Sequence, residues 1–521
     1  MIVNKLALHR LRIYLKILET GSPYLFFDLI YELEKKIYRK RINFISNFFS
    51  SKTNALYDVL HSLYLIDISS PSFKDLYLYD IVKNKQLFAK IAYPNHWIKI
   101  LESYNISINP FINALNYKFQ AANGIFKGIK SFLGIIFQRT NKLAFNEPYI
   151  YCFDINENSL PQNKSNIDKT YVGWLRDNLN LPYNVVCNVQ NAKDNPNDWI
   201  KYSMKIIDVN LVNKVILFLW FLIALTIAIV SLFTKYCEYS ILLKEAVYAK
   251  AMDLMDNRFL GKAYIFNISS FIVRPLWTYV AKMKGAQIIM VNYAASFQSF
   301  LYGNRYLPPE VGLSSTNWPI FVNFDCRYAD YLEKVINPNS RLIRFNNLPS
   351  INFFELENKF VSKKNKYILV FDVTPISLVK TPLFYPVPLY RTPETAINFL
   401  EDIISISDKI GFKVILKNKR HFSINHHSKR YIRYINNLIN DRRVEVVDYR
   451  YSVRELCKLF GNVISAPFTS TAIEAESLGC ESVFYDPTVQ LHKSDRGAQG
   501  LKLISGKIEL DNWVSSVLIK R

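Results

Sequence analysis

The spacing of apolar residues changes character twice along the chain. Up to about residue 145 they recur at helical intervals, as in "YLFFDLIYELEKKIYRKRINFISNFF", which predicts a mainly helical region. From about residue 147 short strand-like runs take over: "PYIYCFDI", "YNVVCNV", "AYIFNIS", "AQIIMVNY", "WPIFVNF" and "RLIRF". A helix through "FIVRPLWTYVAKMKG" falls among them, and the polar stretch Glu355 to Lys366 comes after. The alternation then restarts more cleanly. "KYILVFDV", "FKVILK", "VEVVDY", "NVISA" and "ESVFYDP" read as strands, separated by helices through "TPETAINFLEDIISISDKIG", "HHSKRYIRYINNLIND" and "SVRELCKLFG". Strand alternating with helix predicts parallel sheets, and two such series predict two open α/β domains with a cleft between them.

This pattern divides the chain into a helical region 1–145, an α/β domain 146–354, a linker 355–366, a second α/β domain 367–511 and a C-terminal helix 512–521. One stretch fits neither series. Val215 to Phe233, "VILFLWFLIALTIAIVSLF", runs 19 residues without a charge between Lys214 and Lys235, long enough to cross a bilayer. A span would put the strands before and after it on opposite sides. A buried helix, or one lying in the membrane interface, keeps the first domain whole.

Composition sharpens this picture only in part. At 521 residues, half of them hydrophobic, the chain can build more than one core. Lys and Arg exceed Asp and Glu by 65 to 43, a net +22 that favours anionic partners such as phosphates or lipid surfaces. Lys35, Lys36, Arg39, Lys40 and Arg41, set among aromatics, suit a helix facing a membrane or simply a solvated face. Dispersed basic residues without a recognition module argue against nucleic acid. The six cysteines form no C-x-x-C pair, so a reducing compartment and no structural metal are expected. The opening "MIVNKLALHRLRIYLKILE" has charges throughout and does not read as a secretory signal.

Candidate chemistry gathers at the carboxyl ends of the second domain's strands. In "VISAPFTSTAIEAES" three hydroxyls, Thr469, Ser470 and Thr471, stand between a strand and a helix, where backbone N–H groups and the helix dipole attract an anion. An ordinary N-cap needs only one hydroxyl. "VILKNKRH" ends a strand with Lys417, Lys419, Arg420 and His421, able to neutralise a phosphate or simply solvated. Glu474, one turn into the helix, could accept ribose hydroxyls or complement the dipole. Asp372 in "VFDVTP" ends the domain's first strand, facing the cleft or closing an Asx turn.

Together "VFDVTP", "FLEDI", "VILKNKR", "APFTSTA", "VFYDPT" and "GLKLISGKIELDNW" resemble the bacterial surface-carbohydrate biosynthesis proteins named for a PFTS motif, which here is Pro467, Phe468, Thr469 and Ser470. The resemblance is densest over residues 366–515, weaker at "PYIYCFDINENSLP", "RPLWTYVAKMKGAQIIMVNY" and "WPIFVNF", and slight over 1–145. It implies two Rossmann-like domains of GT-B type and a glycosyltransferase whose nucleotide sugar is held mainly by the second. The basic and hydroxyl motifs also loosely resemble those of transferases using CMP-activated acidic sugars, although Phe422 stands where those have proline.

The expected activity is transfer of a sugar from a nucleotide-activated donor to a lipid-linked or glycan acceptor, at the inner face of the plasma membrane. Lys417, Lys419, Arg420, Asp372, Thr469, Ser470, Thr471 and Glu474 would hold the donor without a metal or further cofactor. The base that takes the acceptor's proton would come from the first domain, with Asp154 and Glu157 in "FDINENSLP" as candidates. A nucleotide-sugar epimerase of the same fold and a non-catalytic scaffold of a glycan-assembly complex remain the competing readings.

Overall fold

A computed structural model describes residues 110–138, 147–153, 171–182, 184–188, 200–202, 205–234, 238–267, 274–292, 301–302, 305–306, 318–323, 326–336, 340–344, 367–375, 392–419, 427–449 and 451–519. The basic cluster at 35–41, the linker 355–366, Asp154, Glu157 and Arg420 lie outside them.

Seven strands form the first sheet: β1 (Tyr149–Phe153), β2 (Asn184–Asn188), β3 (Ile200–Tyr202), β4 (Ala263–Asn267), β5 (Gln287–Asn292), β8 (Ile320–Asn323) and β9 (Arg341–Arg344). Between β5 and β8 the chain makes a small antiparallel hairpin, β6 (Leu301–Tyr302) and β7 (Arg305–Tyr306). The order in the sheet is β3-β2-β1-β4-β5-β8-β9, and every pairing is parallel. The second sheet contains β10 (Tyr367–Phe371), β11 (Lys413–Lys417), β12 (Val444–Val447), β13 (Asn462–Ser465), β14 (Glu481–Asp486) and β15 (Lys502–Ser505). It runs β12-β11-β10-β13-β14-β15, also parallel throughout. These are two Rossmann-like domains, the layout the resemblance implies. All of β1 and nearly all of β10 are buried, as expected of strands covered on both faces.

Apolar patterning does not predict β3 and β15. At three and four residues, each with a lysine, they are too short to show a period. Their place is set by pairing with β2 and β14.

The apolar stretch is a helix, Leu211–Leu232, which starts before the charge-free run because Asn210 caps it, its Oδ1 accepting from Asn213 N at 2.8 Å. It lies between β3 and β4 in the chain, and both belong to one sheet. Crossing a bilayer here would divide that sheet. Instead the chain returns along Glu238–Ile241 and Leu243–Leu254. Ser231 Oγ meets Ser240 Oγ at 2.6 Å near one end, and Asn213 Nδ2 donates to Leu254 O at 2.6 Å near the other. The returning helix is buried at Leu243, Ala246, Val247, Ala249, Ala251 and Met252.

Pro110–Ile136 packs beside both segments. Phe132 stacks on Phe221 with ring centroids 3.9 Å apart. Gly124 and Gly128, one turn apart, let it approach the returning chain: a Cβ at Gly124 would stand 2.4 Å from Ser240 O, and one at Gly128 would stand 2.5 Å from Leu243 Cγ. Because the obstacle at Gly124 is backbone, Gly124→Ala should destabilise the first domain by about 1–3 kcal/mol, the usual scale of overpacking. A urea unfolding midpoint equal to that of the unmodified protein would show that the two helices do not approach this closely.

Candidate functional site

In the second sheet the chain winds one way from β10 to β11 and β12, and the other way from β13 to β15. The loops after β10 and β13 therefore diverge at the carboxyl edge, the place where open α/β sheets bind ligands. Asp372 comes directly after β10, and Ala466 and Pro467 come after β13. Lys417 ends β11, paired in register with Phe371, which faces Ser465 on its other side.

The PFTS segment has an unusual backbone. Phe468 sits at φ 59°, in the left-handed region that non-glycine residues avoid. Its ring is buried and meets Phe484 edge-on, with centroids 5.7 Å apart. Gly497 leaves room for it, since a Cβ there would be 2.9 Å from the ring. Packing thus holds the turn that aims the next three residues.

Those residues divide by role. Thr469 is the N-cap of helix Ser470–Ser477, yet its hydroxyl makes no capping bond; it donates to Ala466 O at 2.9 Å. Thr471 Oγ1 lies 3.1 Å from Thr469 Oγ1 and 3.3 Å from Ser465 Oγ. Ser470 is half-buried and its hydroxyl has no hydrogen bond among the described residues. Thr392, Ser428 and Ser452 do cap three other helices of this domain. Of the three expected phosphate donors, Thr469 instead fixes the loop, because its one hydrogen points at Ala466.

Asp372 also serves the loops. Oδ2 accepts from Tyr431 Oη at 2.5 Å, and Oδ1 accepts from the Lys419 N–H at 3.2 Å. It thereby ties β10 to the segment after β11, rather than closing a simple Asx turn on its own loop. The Lys419 side chain is exposed, whereas Lys417 is buried and makes no hydrogen bond among the described residues. Burial lowers its pKa, opposed by the charges of Asp372, Glu474 and Asp448. Glu474 is half-buried and faces both Lys417 and Arg454. Beside this cluster a pocket is lined by Asp372, Val373, Ala396, Phe399, Ala466 and Pro467, among others.

Nothing in the sequence pattern singles out Asp486 of "VFYDPT". Fully buried, it accepts from the N–H groups of Thr488, Gln490 and Leu491 at 2.8–2.9 Å and from Thr488 Oγ1 at 2.6 Å, holding the loop after β14. Asp495 joins the domains, with Oδ1 accepting from Gly497 N and Oδ2 from Leu301 N at 2.7 Å. Leu301 belongs to the β6–β7 hairpin. Arg327 pairs with Glu476 at 2.8 Å across the same junction.

The first sheet brings a second set of groups to its own carboxyl edge. Asn188, Asn267, Asn292 and Asn323 are the last residues of β2, β4, β5 and β8. Asn292 is 1% exposed, and among the described residues neither of its amide atoms has a partner. The sequence did signal this row: strand after strand ends in asparagine.

Burial pushes Asp372 up to about 7, with the Tyr431 and Lys419 hydrogen bonds and the Lys417 charge pulling it down. Burial likewise pushes Glu474 up to about 7 against Arg454 and Lys417. Their ordinary values are 3.8 and 4.5. Between those values and about 7 the folded chain keeps protons that the unfolded chain has released. The stability these groups contribute is therefore complete below their unfolded values and lost as pH rises through about 7. Urea unfolding at about pH 5 and about pH 8 should show lower stability at the higher pH, and Asp372→Asn should reduce the difference. An unchanged difference would mean that Asp372 is ionised throughout.

Comparison with solved structures finds distant likenesses. They include the UDP-GlcNAc 2-epimerase from Methanocaldococcus jannaschii, at 10% identity over 72% of this chain and 92% of that one, with a TM-score of 0.37. The wall teichoic acid polymerase TagF gives 9% identity, 78% and 88% coverage and a TM-score of 0.39. The sucrose-phosphate synthase from Thermosynechococcus elongatus gives 10%, 72%, 90% and 0.36. Scores this low discriminate neither reaction nor substrate. Comparison with curated proteins gives no match. A family profile described as polysaccharide biosynthesis PFTS motif protein matches residues 221–514, over half of the chain and the whole of the second domain's sheet. The chain belongs to that family.

Proposed function

We propose that the protein is a glycosyltransferase of surface polysaccharide biosynthesis that moves a sugar from a nucleotide-activated donor to a lipid-linked or glycan acceptor. The observation that carries this reading is Lys417, a buried ammonium without a hydrogen bond among the described residues, in the same carboxyl-edge cluster as a helix N-terminus that no side chain caps. A buried cation and free N–H groups together suit the phosphates of a donor.

In the reaction an acceptor hydroxyl attacks the anomeric carbon, the bond from that carbon to the donor's phosphate oxygen breaks, and the nucleotide leaves with the electron pair. Lys417 and the amides of Ser470 and Thr471 stabilise the charge that develops on the leaving phosphate, so no metal is needed for that role. The acceptor's proton passes to a carboxylate of the first domain. Asp154 and Glu157 come after β1, which ends at the carboxyl edge of that sheet, and are the candidates for this role. The asparagine row offers donors and acceptors to the hydroxyls of the incoming glycan.

Calorimetry with CMP, UDP, GDP and TDP names the donor class. Ser470→Ala combined with Thr471→Ala should weaken binding of the preferred nucleotide by about 1–3 kcal/mol, the scale of hydrogen bonds to a charged group. Lys417→Gln should lower kcat more than it raises KM, because its charge matters most when the phosphate departs. Undiminished affinity in the double variant would remove the phosphate cradle, and a rise in KM alone would make Lys417 a ground-state anchor.

Asn292→Ala separates function from folding. Deleting this buried amide should leave stability within about 1 kcal/mol, since no hydrogen bond to a described residue is lost. Transfer to the acceptor should fall while nucleotide affinity stays the same. Full transfer activity would place the acceptor elsewhere.

A further inference from the structure

The outward face of helix Pro110–Ile136 is apolar where a surface helix should be polar. Leu115, Phe119, Phe126, Leu133 and Phe137 recur at intervals of four and seven and are 60%, 74%, 66%, 42% and 78% exposed. Ala121, Gly124, Gly128, Phe132 and Ile135 form the opposite, buried side. Leu211–Leu232 repeats the arrangement, with Val215, Leu219 and Ile223 outward and Leu217, Phe221, Ala224 and Ala228 inward.

Several polar groups of the pair are satisfied within it, as a water-poor setting requires. Lys118 Nζ donates to Leu232 O and Thr234 O, while Lys214 Nζ donates to Ile136 O at 3.0 Å and Gln138 O at 2.6 Å. Each helix thus closes the carbonyl end of the other, which also makes them antiparallel. Thr226, Ser231 and Thr234 all turn their hydroxyls onto carbonyls of their own helical segment, Leu222, Ala228 and Ser231. Neither helix contains an acidic residue, and Lys127 and Lys130 are exposed on the first.

We infer that the two helices form one docking surface for an anionic phospholipid bilayer, lying in its interface with the phenylalanines of Pro110–Ile136 among the acyl chains. This rests on the proposed lipid-linked acceptor and extends it, because it supplies the means of reaching one. The charge pattern selects the occupant. Lysines beside an apolar stripe, with no acid to balance them, complement lipid phosphates. Two copies of this face would gather the exposed lysines of both, Lys127 and Lys130, without an acid from either helix to balance them. The returning helix, with Lys244, Glu245, Lys250 and Asp253, stays on the protein side, so the pair lies on the membrane without crossing it.

Flotation of the full chain with vesicles of phosphatidylethanolamine and phosphatidylglycerol tests this. Phe119→Glu with Phe126→Glu should weaken vesicle binding by about 100-fold, and Lys127→Glu with Lys130→Glu by about tenfold on anionic vesicles alone. Melting temperature and nucleotide affinity should stay the same, and Phe119→Ser with Phe126→Ser stands in should the glutamates prevent folding. Vesicle binding unaffected by the phenylalanine changes would overturn the proposal. So would a melting temperature that falls with them while vesicle binding persists, meaning that residues 1–109 cover the face, or concentration-dependent dimers in sedimentation with no vesicle binding. Vesicle binding without nucleotide affinity would instead retain the surface and remove the transferase reading.

Discussion

All strands of a parallel sheet end at the same edge, and in the second domain this constraint decides which residues meet. Phe371, Lys417 and Ser465 share a register across β10, β11 and β13, so the segments leaving those strands start side by side. They begin with Asp372, Asn418 and the PFTS turn. The sheet alone would leave three independent loops. Asp372 joins the first two by accepting from Tyr431 and from the Lys419 N–H, and Phe468 anchors the third by pushing its ring into the core from a left-handed backbone. A strained residue of this kind costs on the order of 1–3 kcal/mol and persists only where packing over-determines it. Phe484 and the bare Cα of Gly497 supply that packing.

Much of this fold was legible because buried parallel strands read as unbroken apolar runs and the helices between them have clear ends. Thr392 with Pro393 and Gly411 bracket one helix as capping chemistry requires, the glycine at φ 83°. Other features were not legible. Tertiary pairing creates β3 and β15 from segments too short to carry a signal. Helical spacing in Pro110–Ile136 shows that one face is apolar, but not that it is the outer one. Only the glycine and alanine contacts with the returning helix reveal that the small residues face inward.

The site was legible to a similar degree. Position at the strand ends can be read from the alternation, and so can the grouping of Asp372, Lys417, Thr469, Ser470, Thr471 and Glu474. Their division of labour cannot, because it depends on where single hydrogens point. Thr469 and Ser470 are neighbours of the same type, yet one hydroxyl turns back to Ala466 and the other is left over. The side chain of Asp486 accepts four hydrogen bonds and that of Asp495 two, but an aspartate before a turn is too common a pattern to single out.

The helix after the PFTS turn belongs to two structures at once. Ala472 and Ile473 are buried in a core that is continuous with residues of the first domain, and Glu476 reaches Arg327 from its exposed side. Asp495, whose pKa is raised by burial despite the N–H groups of Leu301 and Gly497, lies in the loop that packs Gly497 on Phe468. A shift of the first domain relative to the second would therefore pull on the turn that aims Ser470, through two contacts rather than one. The exposed Arg327–Glu476 pair is worth little alone, within about 1 kcal/mol. Asp495 is different: losing Leu301 would leave a buried carboxylate short of a donor, so the junction resists opening most strongly beside the PFTS loop.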